Sequence, residues 1–129
     1  MTQMPQTNAR VHAGRMAYHA GLSAEASVIR EYESHGYVFE AQRWRGQVGE
    51  IDLVLRKSGL VVFVEVKKSK SFERAALRIS PTQKRRIFAT GEEFVAQEPQ
   101  GLLTDMRFDV ALVDAAGAVQ ILENALSEG

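Results

Sequence analysis

Glu50-Ile51-Asp52-Leu53-Val54-Leu55-Arg56-Lys57-Ser58-Gly59-Leu60-Val61-Val62-Phe63-Val64-Glu65-Val66-Lys67 is the stretch that decides the fold. Residues 51–55 and 60–66 are short aliphatic runs rich in β-branched side chains, and Ser58-Gly59 between them is a turn signal. They predict a hairpin whose strands are apolar on both faces, as buried central strands are. A two-residue Ser58-Gly59 loop pairs Lys57 with Leu60, so that paired residue numbers sum to 117. That register sets Asp52 opposite Glu65 and Glu50 opposite Lys67. Alternation with period two places Asp52, Glu65 and Lys67 on one face. Opposed Cβ atoms lie roughly 4.5–5.5 Å apart, close enough for two carboxylates to converge on one ion. Without a cation the two charges repel, and one carboxyl tends to hold a proton. Two opposed acids beside a lysine form the pattern of a divalent metal site with a catalytic ammonium group. The plainer alternative is a hairpin whose charged ends are merely solvated.

The 129 residues suit one domain large enough for its own core. We assign residues 13–129 to that domain and 1–12, which are polar and aperiodic, to a flexible N-terminal arm. The chain has no cysteine, which excludes a disulfide framework and a thiolate zinc site. No apolar run approaches membrane-spanning length and the N-terminus lacks a signal-peptide core, so a cytoplasmic location without membrane contact is expected. Net charge is zero, but it is unevenly spread. Residues 56–86 hold ten basic side chains and two acids, whereas residues 87–129 hold one arginine and eight acids. A basic segment beside the acid pair suits phosphate; scattered over solvated faces it would mean nothing.

Upstream of the hairpin, residues 13–35 have helical spacing, and Gly36 fits a C-terminal stop. Glu25 lies within the stripe Leu22, Val28, Ile29 and Tyr32. A lone acid there must be paired, liganded, protonated or rotated to water, and Arg43 and Arg45 are candidate partners. Tyr37–Gln42 reads as a strand. Arg43-Trp44-Arg45 follows it and suits either phosphate and base contacts or, more ordinarily, a core tryptophan. Downstream, residues 68–79 read as a basic loop. Ser80-Pro81-Thr82-Gln83 opens a helix, with Ser80 as cap, Pro81 at its first position and Gln83 completing a capping box. That helix runs to about Gln97 with Ile87, Phe88, Gly91, Phe94 and Val95 inward. Lys84 points along the same face, either to reach the acids or to snorkel. Residues 107–113 and 118–122 are the last strands. The order α-β-β-β-α-β-β predicts an α/β domain with a mixed sheet flanked by helices.

The blocks Glu50-Ile51-Asp52-Leu53-Val54, Val62-Phe63-Val64-Glu65-Val66-Lys67 and Arg107-Phe108-Asp109-Val110 closely resemble the YraN-like family of small bacterial proteins. So do Ala24-Glu25, Gly36-Tyr37 and Trp44-Arg45. That family is related to the archaeal Holliday-junction resolvases within the PD-(D/E)XK nuclease superfamily, and the resemblance covers roughly residues 14–125. It implies a restriction-endonuclease-like fold. It also implies roles: Asp52, Glu65 and Lys67 match the acid, acid and lysine of the motif, Glu25 the acid of the first helix, and the Val66 carbonyl a further metal ligand. Ile51 stands where the superfamily has proline, Arg43 where the family often has asparagine, and Ala24 where glycine is common. None of these departures removes a metal ligand.

The resulting expectation is a Mg²⁺-dependent endonuclease acting on DNA, including branched or damaged DNA, with Mn²⁺ able to substitute at hard oxygen donors. Catalysis would rest on Glu25, Asp52, Glu65 and Lys67. Nucleic-acid contacts would come from Arg45, Lys68, Lys70, Arg74, Lys84 and Arg85. The rival is a non-catalytic module that keeps a nuclease fold to bind nucleic acid or a partner protein. Nothing in the residues separates DNA from RNA, and a homodimer is suggested only by analogy with the resolvases.

Overall fold

The structure is a computed structural model that describes residues 15–68, 70 and 79–126, with side chains described from Ser23 onward. The expected arm at 1–12 and most of the basic loop at 68–79, Arg74 included, lie outside the described residues. Helix α1 (Arg15–Glu33) is followed by strands β1 (Val38–Arg45), β2 (Glu50–Lys57) and β3 (Leu60–Lys68). Helix α2 (Pro81–Val95), a short 3₁₀ turn (Gly101–Leu103), β4 (Met106–Val113) and β5 (Val119–Leu122) complete the chain. The expected order of elements is therefore present, and it is consistent with a restriction-endonuclease-like fold. Gly21 does not interrupt α1, and β1 runs three residues past Gln42 to take in Arg43, Trp44 and Arg45.

The strands form one sheet in chain order, antiparallel except for the parallel pair β3–β4. Five consecutive residues of β3, Val61–Glu65, are buried, because this central strand is covered on both faces. The β2–β3 ladder keeps the predicted register from Lys57↔Leu60 to Leu53↔Val64. One core, on the α2 side, gathers Ile51, Val54, Phe63, Phe94 and Phe108; the other, on the α1 side, gathers Val28, Leu53, Leu55, Val62 and Val64. Chain breaks fall where the local chemistry requires them. Gly36, at φ +90°, closes α1 with the Tyr37 N–H bonded back to the Tyr32 carbonyl. Ser80 caps α2, its Oγ accepting the Gln83 N–H at 3.1 Å.

Alternation fails at one place that matters. Ile51 and Val54 are three residues apart, yet both pack in the α2-side core, and so do Ala41 and Trp44 on the adjacent strand. The two resets are paired across the ladder, since Trp44 sits opposite Ile51 and Gln42 opposite Leu53. Arg43, between them, has φ 54°, a left-handed conformation that costs a non-glycine residue roughly 1–2 kcal/mol. Asp52 is the residue at the matching reset of β2. The strand therefore turns at the acid instead of carrying it on a flat ladder.

Helix α2 approaches the sheet closely at Gly91. A Cβ there would lie 2.7 Å from two carbons of the Phe108 ring and 3.1 Å from Phe63. Those rings also pack on each other and on Phe88 and Phe94, so none can retreat cheaply. Gly91→Ala is expected to lower the thermal midpoint: overpacking costs about 1–3 kcal/mol, against about 1 kcal/mol gained in helix propensity. A midpoint equal to wild type in thermal denaturation would show that the helix shifts freely.

Candidate functional site

Asp52 and Glu65 meet at the end of the β2–β3 hairpin away from its turn, with their side chains hydrogen-bonded to each other. The Asp52 Oδ2 also accepts the Val66 N–H at 2.8 Å. Glu65 is buried, and its Oε2 lies 3.3 Å from Lys67 Nζ and 3.0 Å from the Gln83 amide nitrogen. Burial pushes the Asp52 carboxyl above its ordinary value, and the Glu25 charge adds to this; the Val66 N–H, Glu65 and Lys67 pull the other way. Burial first, and Asp52 second, raise Glu65 to about 7, with Lys67 opposing. Two carboxyls that bond each other must share a proton, and burial raises both of them.

Glu25 is buried on α1, where the Gln42 amide donates to its Oε1 and Arg43 lies 3.3 Å from the same oxygen. The ion-pair alternative with Arg43 is thus present, and rotation of Glu25 into water is not. Its charge nonetheless acts on Asp52 from the α1 side. Glu50, expected opposite Lys67, lies 3.7 Å from the Arg45 guanidinium and pairs with Arg45 in the β1–β2 ladder; the β2–β3 ladder stops at Leu53↔Val64, short of that position. The turn joining those strands is tied to α2 by Glu93, whose two carboxylate oxygens accept the Gln47 N–H at 2.8 and 3.1 Å.

The remaining expected contacts are dispersed. Arg45 is exposed at the rim, and Lys68, the last residue of β3, and Lys70 just beyond it are exposed on the α1 side. Lys84 is half-buried in the first turn of α2, while Arg85 is exposed and bonds Thr82. Trp44 is half-buried and packs against the α2-side core, at 81° to the Phe94 ring.

Its position predicts a capping-box role for Gln83. Its backbone N–H is indeed capped by Ser80, but its side chain leaves the helix end and donates to Glu65. The signal available was its position: the third residue of a helix whose next residue, Lys84, points at the sheet.

The donor set suits a hard divalent cation, since two converging carboxyls with a shared proton could exchange that proton for the ion. Among the described residues no three acid or histidine side chains gather closely enough to form a ready-made cage. An ion at Asp52 and Glu65 would complete its shell with water, phosphate oxygen or main-chain carbonyl, which is how Mg²⁺ ordinarily binds.

The model of a family described as "Uncharacterised protein family UPF0102" matches residues 24–113. The chain belongs to the UPF0102 family. A UPF0102 protein of Ruegeria pomeroyi is 54% identical over 110 residues, covering 85% of this chain and 89% of that protein. One of Cereibacter sphaeroides is 52% identical over 115 residues, covering 89% of this chain and 98% of the relative. A more distant one, of Rhodopseudomonas palustris, is 37% identical over 113 residues, covering 88% and 87%. The family match spans Glu25, Asp52, Glu65, Lys67 and Gln83, so the whole site lies inside the UPF0102 region. Among the described residues no helix is long and apolar enough to cross a membrane.

The raised carboxyl gives a pH dependence with a definite sign. A Glu65 pKa near 7 in the folded state, against an ordinary 4.5, means the folded protein binds this proton more tightly than the unfolded chain. Its contribution to stability is complete below the ordinary value and is lost as pH rises through about 7. In chelator, the thermal midpoint should fall between about pH 5 and pH 8, and Glu65→Gln should flatten the fall. A Gln variant with the wild-type slope would place the titration elsewhere.

Proposed function

We propose that this UPF0102 protein is a metal-dependent nuclease of the PD-(D/E)XK type that hydrolyses phosphodiester bonds in DNA. The observation that carries the reading is the meeting of Asp52 and Glu65 in one hydrogen-bonded pair, with Lys67 at 3.3 Å, where two strands end. Mg²⁺ or Mn²⁺, when bound, supplies Lewis-acid charge to a phosphate oxygen and acidifies a water. Asp52 and Glu65 would hold the ion, with the Val66 carbonyl as a further ligand. Lys67 orients the attacking water, or neutralises charge building on the phosphate as water oxygen bonds to phosphorus and the P–O ester bond breaks. Gln83 fixes the Glu65 rotamer through the oxygen that faces Lys67. Glu25, held by Gln42 and Arg43, adds negative charge behind Asp52 and can anchor outer waters of the ion.

The direct test is cleavage of linear, nicked, flapped and four-way DNA, and of RNA, in Mg²⁺ and in Mn²⁺. Metal-dependent cutting of at least one DNA that Asp52→Asn abolishes supports the reading. Tight binding without cutting of any substrate would instead favour a non-catalytic binding module. The basic segment gives a second expectation. Duplex affinity should fall steeply with salt, with a log–log slope of about −0.9 per phosphate neutralised. Replacing Lys68, Lys70 and Arg74 together by alanine should flatten that slope and weaken all sequences alike, since phosphate contacts carry no base information. An unchanged slope in Ca²⁺ binding measurements would make the segment a solvated surface.

A further inference from the structure

Arg43 is held in a backbone conformation that its own side chain disfavours. Among the described residues, three besides glycine have positive φ: Ser58 lies in the hairpin turn, Asn124 lies beyond β5, and Arg43 alone lies inside a strand. A left-handed backbone suits glycine, which has no Cβ, and asparagine, whose short side chain bonds locally, better than it suits arginine. Such outliers persist only where the surroundings hold them, and they gather at functional sites. Glu25 does not require the arginine for a hydrogen bond, because the Gln42 amide donates to the same Oε1 that Arg43 approaches at 3.3 Å.

The place of this residue is beside the acid pair. Gln42 pairs with Leu53 and Trp44 with Ile51, which leaves Arg43 and Asp52 abreast on β1 and β2. Asp52 in turn is hydrogen-bonded to Glu65 on β3. Glu65, Asp52 and Arg43 thus stand in a row across three neighbouring strands, each roughly 4.7–4.9 Å from the next. Strand β1 is an edge of the sheet and the Arg43 side chain is 35% exposed, so a strand of nucleic acid passing from the acid pair to that edge can reach it. A guanidinium carries five N–H donors in a planar fork, enough to meet a carboxylate and a phosphate together.

We propose that Arg43 holds the phosphate next to the scissile one, where the substrate strand runs from the acid pair toward the edge of the sheet at β1. Glu25 orients the guanidinium for this contact. The proposal rests on the nuclease reading and adds to it a positioning residue whose work is the same on continuous and on branched DNA.

The experiment uses three variants. Arg43→Asn removes the charge and relieves the backbone, Arg43→Lys keeps the charge without the fork, and Arg30→Gln removes an exposed arginine of α1 as a control. Each is titrated in Ca²⁺ over a range of salt with whichever of linear, nicked, flapped and four-way DNA wild type binds most tightly. Arg43→Asn should bind about tenfold more weakly or worse, the scale of one charge-assisted hydrogen bond. Its log–log salt slope should be shallower by about 0.9, one phosphate on duplex DNA, at an unchanged thermal midpoint. Arg43→Lys should keep the slope and lose part of the affinity, and Arg30→Gln should match wild type. A neutral methylphosphonate placed at each position in turn locates the contact: next to the cut it should weaken wild type and leave Arg43→Asn unaffected. In Mg²⁺ or Mn²⁺ the loss in kcat/KM of Arg43→Asn should lie in KM.

An unchanged slope in Arg43→Asn, with or without a lowered midpoint, makes Arg43 a structural partner of Glu25 and overturns the proposal. An equal fall in Arg30→Gln overturns it too, as does a methylphosphonate effect that Arg43→Asn shares at every position, or a loss confined to kcat. Cutting by wild type with an unchanged slope in Arg43→Asn leaves the nuclease reading standing without this contact. A flattened slope with no substrate cut in either metal removes the nuclease reading and leaves Arg43 as a phosphate contact of a binding module. Failure to bind any nucleic acid removes both.

Discussion

Asp52→Asn is expected to give a folded protein whose cleavage rate is lower by about three orders of magnitude or more, on the scale of losing a charged group that stabilises a transition state. The amide keeps the size of the carboxyl, and its oxygen can still accept the Val66 N–H. What it loses is charge. Asp52 is raised by burial and by Glu25, so it is an acid the metal-free fold stabilises poorly as an anion. The variant should therefore be at least as stable as wild type in chelator. It should also lose the rise in thermal midpoint that Mg²⁺ or Mn²⁺ gives wild type, since an ion binding only the folded state stabilises it by mass action. Stability kept while metal response and cleavage disappear is a combination that mere misfolding cannot produce. An Asn variant with the full metal shift would mean that the ion binds elsewhere. Lys67→Ala separates differently: affinity for DNA in Ca²⁺ should stay near wild type while cleavage stops, because its task lies in the transition state.

Asp109→Ala is expected to be the most destabilising single substitution considered, costing about 3–5 kcal/mol, the range for removing one partner of a buried ion pair. Asp109 is fully buried on β4 and serves several segments with one carboxylate. It accepts the Tyr32 hydroxyl of α1 at 2.8 Å, two Arg107 nitrogens at 2.8 Å each, and the Asn124 N–H after β5 at 2.9 Å. Arg107 also reaches the Tyr37 hydroxyl at 3.0 Å. Burial, then the Asp109 charge, holds the Tyr32 phenol firmly protonated, and the hydrogen bonds to Asp109 keep Arg107 charged. Removing the carboxylate leaves a cation and a hydroxyl without their acceptor beneath α1. The Arg45–Glu50 pair is the useful contrast. At 3.7 Å and with the Arg45 side chain 78% exposed, its loss in Arg45→Ala should cost no more than about 1 kcal/mol. Chemical denaturation of the two variants in parallel tests the ranking; equal midpoints would show that the Asp109 network adds nothing to the fold.

Much of this architecture was legible because its causes are local. Alternating and continuous apolar runs, a two-residue turn and a Ser-Pro helix start act over a few residues, so they placed all seven main elements and the Leu53↔Val64 register. The register in turn brought Asp52 and Glu65 to the same end of the hairpin. Tertiary structure decided what those rules cannot reach. Strict alternation misses the reset at Arg43 and Asp52, because a left-handed residue inside a strand is held there by its neighbours and not by its own preference. Gln83 had a sufficient local role as a cap, and only the docking of α2 shows that its side chain serves Glu65. Asp109 reads, with Arg107, as one of two charged residues in an otherwise apolar strand. Besides Arg107 two residues before it, its partners lie 77 positions away at Tyr32 and 15 away at Asn124, and only the packing of α1 and the last turn against β4 brings them to one carboxylate.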